Sequence, residues 1–279
     1  ASGSCSNLKP MEGFPHQNAR TQRFTFGVPR SFLVANDDSR VLFLRSSASD
    51  DPLNSLWALD PVSGVEKLIA NPAFLLENVE GADSEVVPAA EATRRQRSRE
   101  LTSGIVDFNG LNNLSRVCFA LAGRIFMVET DEARVVELPS TGDAVDPRLS
   151  PDGTSVAYLS GRTLRLTGTN GDHRLVGTSS ETISWGAAEF IAAEEMGRTR
   201  GHWWAPDGSS ILAARVDVSS VAEWWISNSI NPAVKPVPIR YPATGTANAK
   251  VDLVVLSLNN TEPIYLDWDK EEFEYLTAV

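Results

Sequence analysis

The sequence is poor in the residues on which covalent cross-links and metal sites depend. Its 279 residues include two cysteines, three histidines and three methionines. Cys5 lies in a polar N-terminal stretch and Cys118 in the apolar run 117–121, so we expect no disulfide framework and a buried Cys118. The three histidines are scattered along the chain, whereas metal ligands need convergent spacing. We therefore expect no metal site.

Other signals are missing as well. No apolar run reaches the roughly 18 residues of a membrane span, and residues 1–20 lack the apolar core of a signal peptide. No phosphate-binding or dinucleotide-binding glycine motif is present, so no cofactor is expected. The 36 acidic residues outnumber the 25 basic ones, and the net charge of −11 argues against nucleic acid or a membrane surface as partner. The default expectation is a cytoplasmic protein.

The most informative feature that is present is a repeated turn. Tight turns built on proline and glycine, at 151–153 and 206–208, each lead into an apolar strand. Degenerate copies occur at 36–40 and 109–115. Strand, turn and strand recurring every 40 to 50 residues or so is typical of propeller blades. The sequence therefore predicts an all-β protein, a β-propeller built of four-stranded blades.

Hairpins with polar or glycine-containing turns give the blade count. Segments 56–69, 124–138 and 163–176 each read as the outer pair of a blade, and 251–266 reads as a further hairpin. We expect about four to five blades, which is an incomplete propeller. In this division of the chain, residues 1–20 form a flexible tail and residues 21–279 form the propeller domain.

Two helical insertions interrupt this pattern. The first repeat interval is longer than a blade by roughly 30 residues, and the surplus coincides with the basic segment 88–101, which has proline near its start. The second is the alanine- and glutamate-rich segment 187–196, closed by Gly197. A basic helix in so acidic a protein fits a solvated insertion held by ion pairs.

The second insertion ends in adjacent acids, Glu194 and Glu195. One interpretation is a solvated helix face, the usual place for such residues. The other is a paired-carboxylate anchor for a cation with several N–H donors, such as the free α-ammonium group of a peptide, whose pKa is about 8. Core packing is expected for most of the neighbouring residues Trp203, Trp204, Trp224 and Trp225, and a structural role for His202.

Two motifs give the chain a family resemblance. The run from Glu189 to Met196, followed by Gly-His-Trp-Trp-Ala-Pro-Asp-Gly at 201–208, resembles the double-glutamate segment of the dipeptidyl peptidase IV family, in the prolyl oligopeptidase superfamily of serine peptidases. The segment 240–248, Arg-Tyr-Pro-Ala-Thr-Gly-Thr-Ala-Asn, resembles another stretch of the same family's propeller. The resemblance covers roughly residues 20 to 279 and implies that Glu194 and Glu195 grip the N-terminus of a peptide substrate.

The same resemblance gives the basic insertion a role. It is similar to the arginine-bearing segment that crosses the family's substrate cavity, where a guanidinium would hydrogen-bond a substrate carbonyl. Arg95 and Arg99, four residues apart, share a helical face and are the candidates, with Arg94 and Arg97 left open.

The chain carries no Gly-x-Ser-x-Gly elbow and no βαβ alternation. We therefore expect a fragment: the non-catalytic propeller of a dipeptidyl aminopeptidase whose α/β-hydrolase domain lies elsewhere in the parent chain. Such a propeller would gate and anchor peptides while that domain releases N-terminal dipeptides, often with proline second. Its unpaired edges predict self-association. The alternative is a stand-alone propeller for protein interaction, without peptidase activity.

Overall fold

The fold is described from a computed structural model of the protein, which covers residues 13–76, 92, 102–169, 171–259 and 262–279. Within these ranges most strands belong to four antiparallel sheets whose order follows the chain. The first sheet contains β1 (Arg30–Val34), β2 (Val41–Ser46), β3 (Leu53–Leu59) and β4 (Glu66–Ala70), with β5 (Ser103–Gly104) parallel to β3. The second sheet contains β6 (Asn109–Gly110), β7 (Arg116–Leu121), β8 (Arg124–Glu129) and β9 (Arg134–Leu138).

The third and fourth sheets follow the same plan. The third contains β10 (Ala144–Leu149), β11 (Ser155–Ser160), β12 (Thr163–Gly168) and β13 (Gly171–Val176). The fourth contains β14 (Ile183–Trp185), β15 (His202–Trp204), β16 (Ser210–Asp217), β19 (Lys250–Ser257) and β20 (Ile264–Leu266). A separate hairpin, β17 (Glu223–Ile226) with β18 (Val237–Arg240), lies between β16 and β19 in the chain.

The repeated turns join the first and second strands of the sheets, as predicted. At 151–153 the Gly153 N–H donates to Ser150 O at 2.8 Å, and Gly153 has the positive φ of 73° that glycine tolerates. The Asp152 carboxylate accepts from Ser150 Oγ and from the Thr154 N–H, and these bonds lower the pKa of Asp152. The turn at 206–208 repeats the arrangement, with the Gly208 N–H donating to Ala205 O at 2.9 Å.

The predicted outer hairpins are confirmed as β3–β4, β8–β9 and β12–β13. The hairpin predicted at 251–266 is β19–β20, and it completes the fourth sheet rather than starting another.

Buried apolar side chains lie between successive sheets, which is how propeller blades pack. One cluster joins the first and second sheets, a second joins the second and third, and a third joins the third and fourth; their members include Leu44, Phe119, Ile125, Tyr158, Leu164 and Ile211. The other face of the fourth sheet is covered by Trp203, Trp268 and Leu276. Cys118 is fully buried, as expected, and burial raises its pKa to about 12.

Helices are few and short. The N-terminal stretch expected to be a flexible tail contains helix α1 (Phe14–Arg20), and α2 (Pro72–Leu76) follows β4. The basic insertion expected at 88–101 lies outside the described residues except for Ala92, which is helical. The insertion expected at 187–196 is confirmed as α3 (Phe190–Glu195). No described helix is long and apolar enough to cross a membrane.

Candidate functional site: the helix that splits the fourth sheet

The first-strand position of the fourth sheet is shared by two short strands. Both pair with β16: β14 aligns with its residues 215–217, and β15 aligns with its residues 211–213. The chain between them, 186–201, leaves the sheet and contains α3. Because β14 and β15 occupy the edge where the first strand of each other sheet lies, α3 is inserted at that edge of the fourth sheet.

The helix begins with an unusual cap. Glu189 is the N-cap residue, and its carboxylate accepts hydrogen bonds from the N–H groups of Ile191, at 2.5 Å, and Ala192, at 2.7 Å. Asp, Asn, Ser and Thr are the residues that usually take this position. The longer glutamate reaches the same N–H groups while its side chain stays 92% buried, since its exposed fraction is 8%. The start of α3 is thereby fixed from inside the protein.

The helix ends in the predicted pair, Glu194 and Glu195, and both side chains are exposed. Carboxylates at a helix C-terminus oppose the helix dipole, and the last turn of α3 contains no basic residue to offset them. The two acids thus lie where they weaken the helix, beside carbonyl groups that are also electronegative. Such a conflict between local stability and sequence is typical of a functional site.

Arg198 closes the turn after α3. Its backbone N–H donates to Ala192 O at 2.9 Å, and its side chain, 6% exposed, donates to Arg200 O and to Leu276 O, each at 2.9 Å. Arg198 Nη2 lies 3.9 Å from Glu189 Oε1. Burial lowers the pKa of Arg198, and the charge of Glu189 opposes that effect.

The two ends of the insertion meet at glycines. A Cβ on Gly201 would lie 2.4 Å from the carbonyl carbon of Ala187, closer than any side chain can come. Gly186 has a φ of 77°, and its carbonyl lies 3.0 Å from Nδ1 of His202, which must carry the proton because a carbonyl only accepts. His202 is fully buried, so its expected structural role agrees with its position.

Aromatic contacts bring the two predicted family motifs together. The ring of Phe190, at the start of α3, meets the ring of Tyr241 edge-on at a centroid distance of 5.3 Å. Tyr241 belongs to the second motif and also meets Trp224 edge-on at 6.2 Å. The expectation of core packing is wrong for Trp224 and Trp225, which are 51% and 58% exposed. Both lie on β17, all four residues of which are exposed, and local sequence does not show whether another element covers a strand.

The structure adds a buried charged group that sequence reasoning did not find. Arg148 Nη2 forms an ion pair with Asp146 and lies 3.5 Å from Asp107 Oδ2, while Asp146 Oδ2 is 3.8 Å from His202 Nδ1. Arg200 donates to His202 O at 2.7 Å, and its pKa falls to about 10 through burial and the nearby charge of Arg148. These residues are far apart in sequence and follow no motif, so no local signal predicts the group.

A cavity of about 520 Å³ adjoins the insertion. Arg200 borders it, together with Asn109, Leu149, Pro151 and Trp204. The volume is within the range of small-ligand sites. Arg95 and Arg99, like Arg94 and Arg97, lie outside the described residues, so their assignment stays a prediction. No group of three or more metal-ligating side chains occurs in the ranges described above.

Comparison with known proteins decides the family. Residues 111–279, well over half of the chain, match the model of the dipeptidyl peptidase IV (DPP IV) N-terminal region. The chain belongs to this family. It is similar to dipeptidyl peptidase 8 of Homo sapiens, with 26% identity over 190 residues, which is 58% of this chain and 21% of the relative. Dipeptidyl peptidase 8 of Mus musculus is 28% identical over 136 residues, 42% of this chain and 15% of the relative.

A solved structure supports the same architecture. The crystal structure of Porphyromonas gingivalis dipeptidyl peptidase 4 superposes with a TM-score of 0.61 at 14% identity, covering 90% of this chain and 34% of that one. The family resemblance and the propeller fold expected from the sequence are therefore confirmed. The chain spans about a fifth of the length of the human relative and about a third of the solved structure.

Proposed function

We propose that this propeller anchors the free N-terminus of a peptide for a dipeptidyl peptidase. The observation that carries the proposal is the exposed pair Glu194 and Glu195 at the end of α3, in a position that weakens the helix and within the segment inserted between β14 and β15 at the edge of the fourth sheet. Family membership gives this pair a context, since the relatives named above are dipeptidyl peptidases. The catalytic serine would come from a hydrolase domain outside these 279 residues.

The chemistry follows from the ligand's charge. An N-terminal ammonium group has three N–H donors and a pKa of about 8, so two carboxylates can each accept from it and balance its charge. Charge-assisted hydrogen bonds of this kind contribute about 1.5 to 3 kcal/mol each when removed singly. An acylated N-terminus has neither the charge nor the donors. The pair would therefore select peptides with a free amine.

An anchor at a fixed position would also determine which peptide bond is cleaved. If the amine is held at a fixed depth, the bond that reaches a nucleophile is set by the number of residues that fit between the two. Cleavage two residues from the N-terminus then follows from geometry. A guanidinium from the basic segment, Arg95 or Arg99, would hold a carbonyl of the same dipeptide.

The test is a product analysis with the parent polypeptide. A peptide with proline in the second position is incubated with it, in free and N-acetylated forms, and the products are identified by mass spectrometry. We expect release of the N-terminal dipeptide from the free peptide only. Equal cleavage of the acetylated peptide, or cleavage at internal positions, would refute the proposal.

A second candidate, protein interaction, is favoured by one observation. All residues of the β17–β18 hairpin are exposed, including Trp224, Trp225 and Ile226 on β17 and Val237 and Ile239 on β18. Apolar surface of this kind often contacts another chain. Together with unpaired strand edges it supports self-association. Sedimentation velocity should show an oligomer that Trp224→Ser and Trp225→Ser weaken; a monodisperse monomer at tens of micromolar (~50 µM) would contradict it.

A further inference from the structure

Helix α3 is too short to be stable by itself. It has six residues, whereas isolated helices of fewer than about 12 residues are marginal in water. Of those six residues only Ala192 is buried. Contacts at the ends of α3 therefore contribute to the orientation of Glu194 and Glu195.

Arg198 supplies contacts at both ends of the helix. Through its backbone it holds Ala192 O, and through its side chain it lies 3.9 Å from the Glu189 carboxylate that caps the first turn. The same guanidinium donates to Arg200 O, on the chain returning to β15, and to Leu276 O, both at 2.9 Å. Leu276 packs on the fourth sheet with Trp203, so one side chain ties the helix to the blade.

A buried cation is a costly way to obtain stability alone. Taking a guanidinium out of water is unfavourable, and apolar replacement of both partners of a buried ion pair is often neutral or stabilising. What arginine provides is a planar set of five donors in a fixed geometry, which can bind separate acceptors at once. Here the two acceptors, Arg200 O and Leu276 O, belong to different segments, and the Glu189 carboxylate of a third segment lies 3.9 Å from Nη2 as an ion-pair partner.

We propose that Arg198 is a positioning residue for the Glu194–Glu195 pair, holding α3 through Glu189, Arg200 O and Leu276 O so that both carboxylates face one amine. This inference rests on the proposed function. Arg198 lies beside the Glu189 carboxylate that caps α3, so its loss should change the direction in which Glu194 and Glu195 point. Loss of Arg198 should then weaken recognition of the amine even in variants that remain folded.

The experiment uses the parent polypeptide and two substrates. One is a Gly-Pro chromogenic amide; the other is the acetyl-Pro amide, in which CH3 replaces the CH2–NH3+ of glycine. The ratio of their kcat/KM values measures recognition of the amine alone. For Arg198→Met we expect this ratio to fall by about tenfold, mainly through a higher KM for Gly-Pro, together with a lower melting temperature, because the buried Glu189 carboxylate loses its cationic partner.

Two further variants separate geometry from charge and keep the test valid if Arg198→Met fails to fold. Arg198→Lys retains the charge without the forked donors, and we expect it to behave like Arg198→Met. Glu189→Gln keeps an oxygen for the helix cap and removes the charge facing Arg198; a smaller fall of the ratio, about threefold, is expected. The matched control is Arg165→Met, which removes a part-buried ion pair with Asp172 in the third sheet and should leave the ratio unchanged.

The decisive measurement is whether the effects of replacing Arg198 and the glutamate pair are coupled. Because Arg198 is proposed to act through the pair, Arg198→Met should cause no further loss in a background in which both Glu194 and Glu195 are glutamine. A further loss in that triple variant, a wild-type ratio in Arg198→Lys, or a ratio unchanged in folded Arg198→Met would each overturn this inference. If the ratio is also unaffected by replacing both Glu194 and Glu195 with glutamine, the proposed function itself fails; if that change lowers the ratio, only the role of Arg198 fails.

Discussion

The close approach at Gly201 allows a quantitative prediction about how the insertion is held. A Cβ built on Gly201 would lie 2.4 Å from the carbonyl carbon of Ala187, 2.6 Å from its oxygen and 2.7 Å from the carbonyl carbon of Gly186. All three atoms belong to the backbone, so no side chain can rotate away. Gly201→Ala must push apart the chain that leaves the sheet and the chain that returns to it.

The cost follows from this geometry. Overpacking in a well-packed region costs about 1 to 3 kcal/mol, and a backbone clash belongs at the upper end of that range. For a protein of this size each kcal/mol lowers the melting temperature by about 2 to 4 °C. We therefore expect Gly201→Ala to lower it by about 6 to 12 °C. The Gly201 carbonyl also accepts from the Ala214 N–H at 2.8 Å, so the shift should disturb pairing with β16.

Differential scanning calorimetry of the 279-residue chain measures the effect. The control is Gly13→Ala, because a Cβ on Gly13 has its nearest heavy atom at 3.8 Å and its φ is −65°. We expect this control to change the stability by about 1 kcal/mol or less. Equal melting temperatures for Gly201→Ala and the wild type would refute the packing of the insertion's two ends described above.

Two further predictions concern buried titratable groups. Burial lowers the pKa of His202 below its ordinary 6.5, so as the pH falls below about 6.5 the unfolded chain takes up the proton first and stability is lost. Urea unfolding between pH 7.5 and 5.5 should show the free energy of unfolding falling by at most about 1.4 kcal/mol per pH unit, and His202→Gln should make this fall smaller. An unchanged dependence of the unfolding free energy on pH in that variant would contradict the burial of His202. Cys118 is buried with its pKa raised to about 12, so in a Cys5→Ser background a thiol reagent at about pH 8 should label the chain only after unfolding, and labelling of the folded chain would count against its burial.

Much of the propeller could be predicted because its signals are local. The turn at 151–153 is specified by proline, aspartate and glycine in adjacent positions, and the hairpin β8–β9 by its apolar strands and polar turn. Helix α3 was predictable from its alanine and glutamate content and from Gly197, which has a φ of 66°.

The tertiary features were not predictable. Nothing in the sequence indicates that β14 and β15 share one partner strand, or that Arg198 is buried against Glu189 and Leu276. An arginine that follows a glycine is as typical of an exposed loop as of a buried contact between segments. The exposure of Trp224 depends on which other elements of the fold cover β17. Only the arrangement of the sheets determines this.

The measurement that tests the central claim most directly is recognition of the amine by the glutamate pair. The parent polypeptide is compared with Glu194→Gln, Glu195→Gln and the double variant, using the kcat/KM ratio between the Gly-Pro and acetyl-Pro amides. Both side chains are exposed, so the variants should fold as the wild type does. We predict that the ratio falls by about tenfold in each single variant and by about a hundredfold in the double one. A wild-type ratio in the folded double variant would show that the carboxylates do not hold the amine.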